Sequence, residues 1–230
     1  MKKLFLVIMA LSLLLVTGCG KESLSSQEQG SGYTVVDARG KKITFASAPK
    51  RIVCLNYSAT DILTDLIPTE RIIATDMWAR EEDLSNCYEK LKGIPVCENN
   101  PEQIMKFKPD LVILTDGRAN ELADTLDSVG IKTCVLRQPK TIQEIPDYIK
   151  IVGEVADNKA PANSLAEKVA AYIKASAGGQ KIESVLLIHP NGGIGQKGSM
   201  PASICEACNI ENLAAKYDFP QSSYLSKEQI

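Results

Sequence analysis

Short apolar segments alternate with helix-start signals along the middle of this 230-residue chain. Four of these segments are rich in Val, Ile and Leu, which is typical of strands that are buried on both faces of a sheet. The segments between them begin with signals of helix N-termini, such as Asn100 followed by Pro101. The alternation predicts an α/β fold with a parallel sheet and helices on both faces. The predicted strands cover residues 51–55, 71–75, 110–115 and 132–136.

Further local signals complete this first α/β unit. A β-hairpin is predicted before the sheet, with strands at 33–36 and 42–45 and a turn at 38–40. Ser58 opens a capping-box sequence and predicts the start of a helix. Gly130 follows an apolar helix pattern and predicts its C-cap.

A second α/β unit is predicted after a long amphipathic helix. Residues 161–175 carry apolar side chains at helical spacing, and a new strand begins at 184–188. The segment that remains, of about 50 residues, is at the lower limit of an independent domain. We therefore expect that the chain is truncated at Ile230 and that the second unit is incomplete.

The N-terminus has the organisation of a bacterial signal peptide. Two lysines precede an apolar run at residues 4–16. This run is too short for a transmembrane helix, which needs about 20 residues. The sequence Val-Thr-Gly-Cys at 16–19 resembles a lipobox, so we expect removal of residues 1–18 and lipid attachment at Cys19. The alternative is an ordinary secretory signal with an incidental cysteine. Residues 19–32 are polar and small, which predicts a flexible tether between a membrane anchor and an extracytoplasmic body.

Charge and cysteine content restrict the function classes. Loss of two lysines with the signal peptide changes the net charge from −2 to −4, which argues against nucleic acid as a partner. Six cysteines remain beyond Cys19, and outside the cytoplasm they are able to form disulfides whose pairing the sequence does not determine. Cys54 and Cys134 lie in apolar strands and are predicted to be buried thiols.

Two short motifs permit enzymatic alternatives. Residues 193–198 match the G-x-G-x-x-G dinucleotide fingerprint, but we expect residues 199–201 to separate this loop from a helix. Cys205 and Cys208 form a C-x-x-C pair without the second pair that a zinc site needs. An extracytoplasmic thiol-disulfide or dinucleotide-dependent oxidoreductase is therefore the alternative function. A protein that binds free metal is a third possibility, against which the single histidine argues.

Four motifs follow the hairpin in a fixed order. They are Ala-Pro-Lys-Arg-Ile-Val at 48–53, Ser-Ala-Thr-Asp-Ile-Leu at 58–63, Pro-Glu-Gln-Ile at 101–104 and Lys-Pro-Asp-Leu-Val-Ile at 108–113. Together with the lipobox and an isolated long helix, this set resembles the periplasmic binding proteins of ABC importers for iron–siderophore complexes, haem and cobalamin. The resemblance extends from about Tyr33 to the end of the chain.

The resemblance implies two Rossmann-like lobes joined by a single long helix, with the ligand in the cleft between them. Residues 33–157 would then form the N-terminal α/β lobe, 158–180 the inter-lobe helix and 181–230 a partial C-terminal lobe. The implied function is not catalytic. A monomeric, lipid-anchored receptor without a cofactor would capture a siderophore, haem or cobalamin and deliver it to an ABC permease and its ATPase.

Members of the family hold their ligands with loops that follow the strands, where open α/β sheets generally bind. Tyr57 and Trp78 would be aromatic walls against a flat ligand. Alternatively, Trp78 fills a hydrophobic surface depression, and Tyr57, just before a helix cap, has a structural role. Three arginines would clamp an anionic siderophore or haem, although each alternatively is a solvated surface charge. His189 would line the cleft or ligate the metal. The candidate ligand-binding residues are Tyr57, Trp78, Arg80, Asp116, Arg118, Arg137, His189 and Asn191.

The family also docks on its permease through one acidic residue on each lobe. Glu228 matches the pattern of the second lobe, and Glu121 is the nearest candidate on the first lobe. The alternative for both glutamates is a solvated charge on a helix.

Overall fold

The computed structural model describes residues 32–117, 119–176, 182–188 and 194–216. The predicted signal peptide, the lipidation site Cys19 and nearly all of the tether lie outside these residues. Within the described ranges, no helix is both long enough and apolar enough to cross a membrane.

The predicted hairpin is confirmed. Strand β1 (Tyr33–Val36) pairs with β2 (Lys42–Phe45) in antiparallel register, and the stacked rings of Tyr33 and Phe45 have centroids 4.9 Å apart. The turn is attached to the rest of the fold by Asp37, whose buried carboxylate pairs with Arg39 at 2.8 Å. Asp37 also accepts a hydrogen bond from the backbone amide of Val135, at 3.3 Å.

A four-stranded parallel sheet follows, as the alternating pattern predicts. Its order along the sheet is β4-β3-β5-β6, so β3 lies between β4 and β5. The chain therefore moves from β3 to one side of the sheet, crosses back and continues from β5 to the other side. The strands are β3 (Ile52–Leu55), β4 (Ile72–Thr75), β5 (Leu111–Thr115) and β6 (Thr133–Leu136).

Both faces of the sheet are covered by helices, which confirms the predicted layers. Side chains alternate along β3, so Ile52 and Cys54 belong to one apolar cluster and Val53 and Leu55 to the other. Each fully buried aliphatic side chain of this kind contributes about 1.5–3 kcal/mol to folding. The helices are α1 (Tyr57–Leu66), α2 (Pro101–Lys106), α3 (Asn120–Ser128), α4 (Ile145–Val155) and α5 (Lys159–Ala175). The first cluster packs under α1, α4 and α5, and the second packs under α2 and α3.

The structure confirms two of the predicted helix ends and corrects a third. Asn100 caps α2 by accepting a hydrogen bond from Gln103 N, and Gly130 follows α3 with a positive φ of 84°. The prediction of Ser58 as the cap of α1 is wrong, because the helix already begins at Tyr57. Asn56 is the cap, with an extended backbone and a side-chain oxygen 3.0 Å from the amide of Ala59.

The remaining described segment contains β7 (Ser184–Val185), α6 (Met200–Ala207), β8 (Glu211–Asn212) and α7 (Leu213–Lys216). β7 and β8 pair in parallel. Ser199 caps α6, so a helix begins directly after the glycine-rich loop. The expectation that residues 199–201 interrupt this loop and helix is therefore wrong. The thiols of Cys54 and Cys134 are fully buried, as predicted, and all six described cysteines are unpaired.

Helices α4 and α5 approach each other closely at Gly153. A Cβ atom at this position would lie 2.0 Å from the Cβ of Ala162 and 3.2 Å from the backbone oxygen of Asn158. Real Cβ atoms do not come this close to other heavy atoms, so the packing of the two helices requires glycine.

Substitution Gly153→Ala is expected to destabilise the fold. Overpacking costs about 1–3 kcal/mol, and the better helix propensity of alanine recovers about 1 kcal/mol of this. The midpoint of urea unfolding should fall. The double substitution Gly153→Ala with Ala162→Gly removes the clash and should recover part of the loss. A midpoint of Gly153→Ala at or above that of the unsubstituted chain would contradict the close contact.

Candidate ligand-binding cleft

A cleft of about 940 Å³ opens at the carboxyl ends of the parallel strands. The connections of β3 and β5 leave the sheet in opposite directions, and open α/β sheets bind ligands at such a switch point. The volume lies at the upper end of the range of small-molecule sites, about 300–1,000 Å³. Loops after all four strands contribute, since Asn56, Asp76, Asp116 and Gln138 line the cleft.

Apolar side chains form one part of the wall. Tyr57 and Trp78 are both about half exposed, at 49% and 52%, although they line the cleft. Ile62 and Leu84 continue the same wall, and Leu84 is also exposed. Apolar surface left exposed in a concave site is typical of a ligand-binding groove. The structure thus brings together the two aromatic residues that the sequence singles out.

A polar cluster of buried Asn56 and Tyr148 with partly buried Gln138 forms part of the lining. The Oδ1 atom of Asn56 accepts hydrogen bonds from Gln138 Nε2 at 3.0 Å and from the hydroxyl of Tyr148 at 3.2 Å, besides the amide of Ala59. Burial raises the pKa of the Tyr148 hydroxyl, which therefore keeps its proton and donates. This cluster joins the loops after β3 and β6 to helix α4.

Asp76 occupies the end of β4. Its Oδ1 atom accepts a hydrogen bond from the amide of Ala79 at 2.9 Å, which starts the 3₁₀ turn Trp78–Arg80. Burial raises the pKa of this carboxyl, and the hydrogen bond from the backbone amide of Ala79 opposes the rise.

The described lining is acidic. Three carboxylates, those of Asp61, Asp76 and Asp116, line the cleft. No lysine or arginine is among the described lining residues. A site of this composition attracts hydrogen-bond donors and cations and repels anions.

Two of the predicted arginines do not line the cleft. Arg80 donates through Nη1 to the backbone oxygen of Ile94, which directs its guanidinium to the loop that follows β4. Arg137 is mostly exposed, and its Nε atom lies 3.9 Å from Oδ2 of Asp116 at the ends of β5 and β6. Glu121, the predicted docking residue, is exposed in the first turn of α3. The predicted residues Arg118, His189, Asn191 and Glu228 lie outside the described residues.

The C-x-x-C pair of the alternative function lies in and after α6. Cys205 is buried within the helix, and Cys208 follows its last turn. Burial raises the pKa of the Cys205 thiol, whereas thiol exchange needs a lowered pKa. Gly193, the first glycine of the dinucleotide motif, lies outside the described residues. Among the described residues, no three His, Cys, Asp or Glu side chains come together to hold a metal ion.

Several cleft residues are not among the sequence-based candidates. Asp61, Gln138 and Tyr148 line the cleft, as does Met200 from the start of α6. Gln138 follows Arg137 directly in the loop after β6, so its position at a strand end was the available signal. Tyr148 belongs to the apolar stripe of α4, and nothing in that pattern indicates that its hydroxyl reaches the cleft.

Comparison with known proteins finds relatives over most of the chain. The ABC transporter substrate-binding lipoprotein YvrC of Bacillus subtilis is 24% identical over 176 residues, which are 71% of this chain and 54% of that protein. A cobalamin-binding protein of Halobacterium salinarum is 25% identical over 129 residues, 56% of this chain and 35% of that protein. Among solved structures, the periplasmic haem-binding protein RhuT of Roseiflexus sp. RS-1 superposes with a TM-score of 0.65 at 20% identity, over 78% of this chain and 71% of RhuT.

The chain spans about half the length of YvrC and about a third of the cobalamin-binding protein. The likeness to RhuT supports the fold, which is that of the two-lobed binding proteins. A family model described as periplasmic binding protein matches residues 52–230, and this region includes the whole parallel sheet and every described residue that lines the cleft. The chain therefore belongs to the periplasmic binding protein family, whose members serve ABC importers as substrate-binding proteins.

Proposed function

We propose that this protein captures a metal chelate, a siderophore complex, haem or cobalamin, in its cleft and delivers it to an ABC permease and its ATPase. The observation that carries the proposal is the cleft at the switch point of the sheet, with Tyr57 and Trp78 half exposed in its wall. Relatives whose names state cobalamin and haem as ligands support the same ligand class. Such a receptor acts as a monomer and needs no cofactor of its own.

The charge of the cleft favours one part of this ligand class. Haem carries two carboxylates and catecholate siderophores are anionic, so three lining carboxylates oppose both. Cobalamin is electroneutral and carries peripheral carboxamides, whose N–H groups are donors for Asp61 and Asp116. Three arginines in loops after strands favour an anionic ligand, but Arg80 and Arg137 do not line the cleft. We therefore rank a neutral, amide-bearing chelate before haem and anionic siderophores.

The remaining parts of the proposal concern location and partners. Lipid on Cys19 and the tether over 19–32 would hold the receptor beside its transporter at the outer face of the membrane. Glu121 on α3 and Glu228 would meet arginines of the permease. Glu121 is exposed, as docking requires, and a solvated helix charge is the alternative role.

Ligand binding is expected to quench Trp78, the single tryptophan of the chain. Cyanocobalamin should bind more tightly than haemin or a ferric catecholate siderophore, as measured by fluorescence titration and calorimetry. Substitution Tyr57→Ala should weaken binding about tenfold, because it removes a ring contact of about 0.5–1.5 kcal/mol together with buried area.

Tyr172→Ala is the matched control, since Tyr172 is 75% exposed on α5 and does not line the cleft. It should leave every affinity unchanged. Absence of binding by all three ligands would overturn the proposed function. Equal affinity losses in the two tyrosine variants would overturn the assignment of Tyr57, and tighter binding of haemin would overturn the charge argument.

Lipid attachment is tested by Cys19→Ser in cells. The substituted protein should move from the membrane fraction to the soluble extracytoplasmic fraction, and mass spectrometry of its N-terminus should find no acyl chains. Cys208→Ser removes another thiol and should stay with the membrane. Membrane retention of Cys19→Ser would show that another element anchors the chain.

A further inference from the structure

The N-terminus of α1 sets the hydrogen-bond polarity of the cluster at the end of β3. The Oδ1 atom of Asn56 caps this helix and accepts from the amide of Ala59 at 3.0 Å. A reversed side-chain amide would turn Nδ2 toward the same N–H group and place two donors against each other. The Nδ2 atom is buried without a hydrogen-bond partner among the described residues, so the cap fixes the orientation even at that cost. Asn56 therefore presents an acceptor to the side chains around its Oδ1 atom.

This fixed acceptor determines the orientation of Gln138. The Oδ1 atom of Asn56 accepts from Nε2 of Gln138 at 3.0 Å, and it also accepts from the hydroxyl of Tyr148 at 3.2 Å. The carboxamide of Gln138 has to turn its N–H groups toward Asn56, because an oxygen in that place would meet another acceptor. The oxygen and the nitrogen of a carboxamide lie on opposite sides of its carbon, so Oε1 of Gln138 faces away from Asn56.

The Oε1 atom of Gln138 remains available to a ligand. Gln138 is partly exposed and lines the cleft, and no described residue donates to its Oε1 atom. Its backbone is held as well, since its amide nitrogen lies 3.5 Å from Oδ1 of Asp116. Pro139 also restricts the residue before it to extended conformations. The acceptor is thus oriented before a ligand binds, which reduces the conformational entropy lost on binding.

We propose that Gln138 is a specificity-determining residue, whose Oε1 atom accepts a hydrogen bond from an N–H group of the ligand, and that Asn56 is the positioning residue that fixes this orientation. The inference rests on the function proposed above and deepens it, because it names the ligand group that the cleft selects. Asp61 and Asp116 add further acceptors to the same lining. A ligand with peripheral carboxamide N–H groups matches these acceptors, whereas an ester of the same shape does not.

The binding test compares Gln138→Met with Gln143→Met, since Gln143 is exposed in the next turn and does not line the cleft. Two corrins serve as probes. Cyanocobalamin carries carboxamide donors, whereas the heptamethyl ester of dicyanocobyrinic acid carries only acceptors at its periphery. Gln138→Met should weaken binding of cyanocobalamin about threefold to tenfold, which is the effect of one neutral hydrogen bond, and should leave the affinity for the ester unchanged. Gln143→Met should change neither affinity.

Two binding results would overturn the role of Gln138. The first is an unchanged affinity of Gln138→Met for cyanocobalamin. The second is an equal loss of affinity for both corrins, because a purely structural role would weaken both alike. An ester that the unsubstituted protein does not bind would support the need for N–H donors, and the affinity of Gln138→Met for cyanocobalamin would then decide the role of Gln138.

A second measurement needs no ligand. The side-chain amide protons of Gln138 are identified by NMR as the pair of signals that is lost in Gln138→Met. Because these protons donate to Asn56, they should exchange with water more slowly than those of Gln143. Asn56→Ser keeps a cap for α1, but its shorter side chain does not reach Gln138, so exchange there should accelerate to the rate at Gln143.

Circular dichroism identifies any variant that fails to fold. If Asn56→Ser is one of them, the exchange rates of the unsubstituted protein decide the orientation of Gln138. Equal rates at Gln138 and Gln143 in that protein would overturn the role of Asn56, as would an unchanged rate at Gln138 in a folded Asn56→Ser variant. If the unsubstituted protein binds none of the ligands tested, the proposed function fails, while the exchange rates still decide whether Asn56 orients Gln138.

Discussion

The parallel pairing of β3 with both β4 and β5 is the constraint on which the cleft depends. Parallel strands end at the same edge of a sheet, so the residues that follow each strand lie close together although they are far apart in sequence. The two connections leave β3 and β5 in opposite directions, which leaves the space above the sheet open. Burial of the strands in two apolar clusters then makes this edge rigid.

Polar side chains at the strand ends convert this edge into a defined surface. Asn56 after β3 satisfies three donors with one oxygen, and Asp76 after β4 accepts a hydrogen bond from the amide of Ala79 in the turn that follows. Both residues are largely withdrawn from water, where an unpaired polar group costs about 1–3 kcal/mol. Their hydrogen bonds therefore specify one arrangement of the loops. In this arrangement the adjacent residues Tyr57 and Trp78 stay about half exposed.

The sequence predicts elements that depend on local chemistry and fails where a distant partner decides. The hairpin, the four strands, the cap at Asn100 and the glycine after α3 all follow from patterns of a few residues. The capping-box sequence predicts Ser58 as the cap of α1, yet serine and asparagine both suit that position, and only the backbone conformation identifies Asn56. The strand ends locate Tyr57, Trp78 and Asp116 in the cleft. Tyr148 has no such signal, because its hydroxyl reaches the cleft from a helix of the core.

The same difference between local and distant information explains the charge of the described cleft lining. An arginine in a loop after a strand suggests an anion clamp, yet its long side chain reaches whichever acceptor the fold offers. The guanidinium of Arg80 finds the carbonyl of Ile94, so its charge does not enter the cleft. Short carboxylates have less freedom, and Asp61, Asp76 and Asp116 stay where their backbones place them. In a site built from strand ends, short side chains therefore determine much of the charge, and among the described lining residues of this cleft that charge is negative.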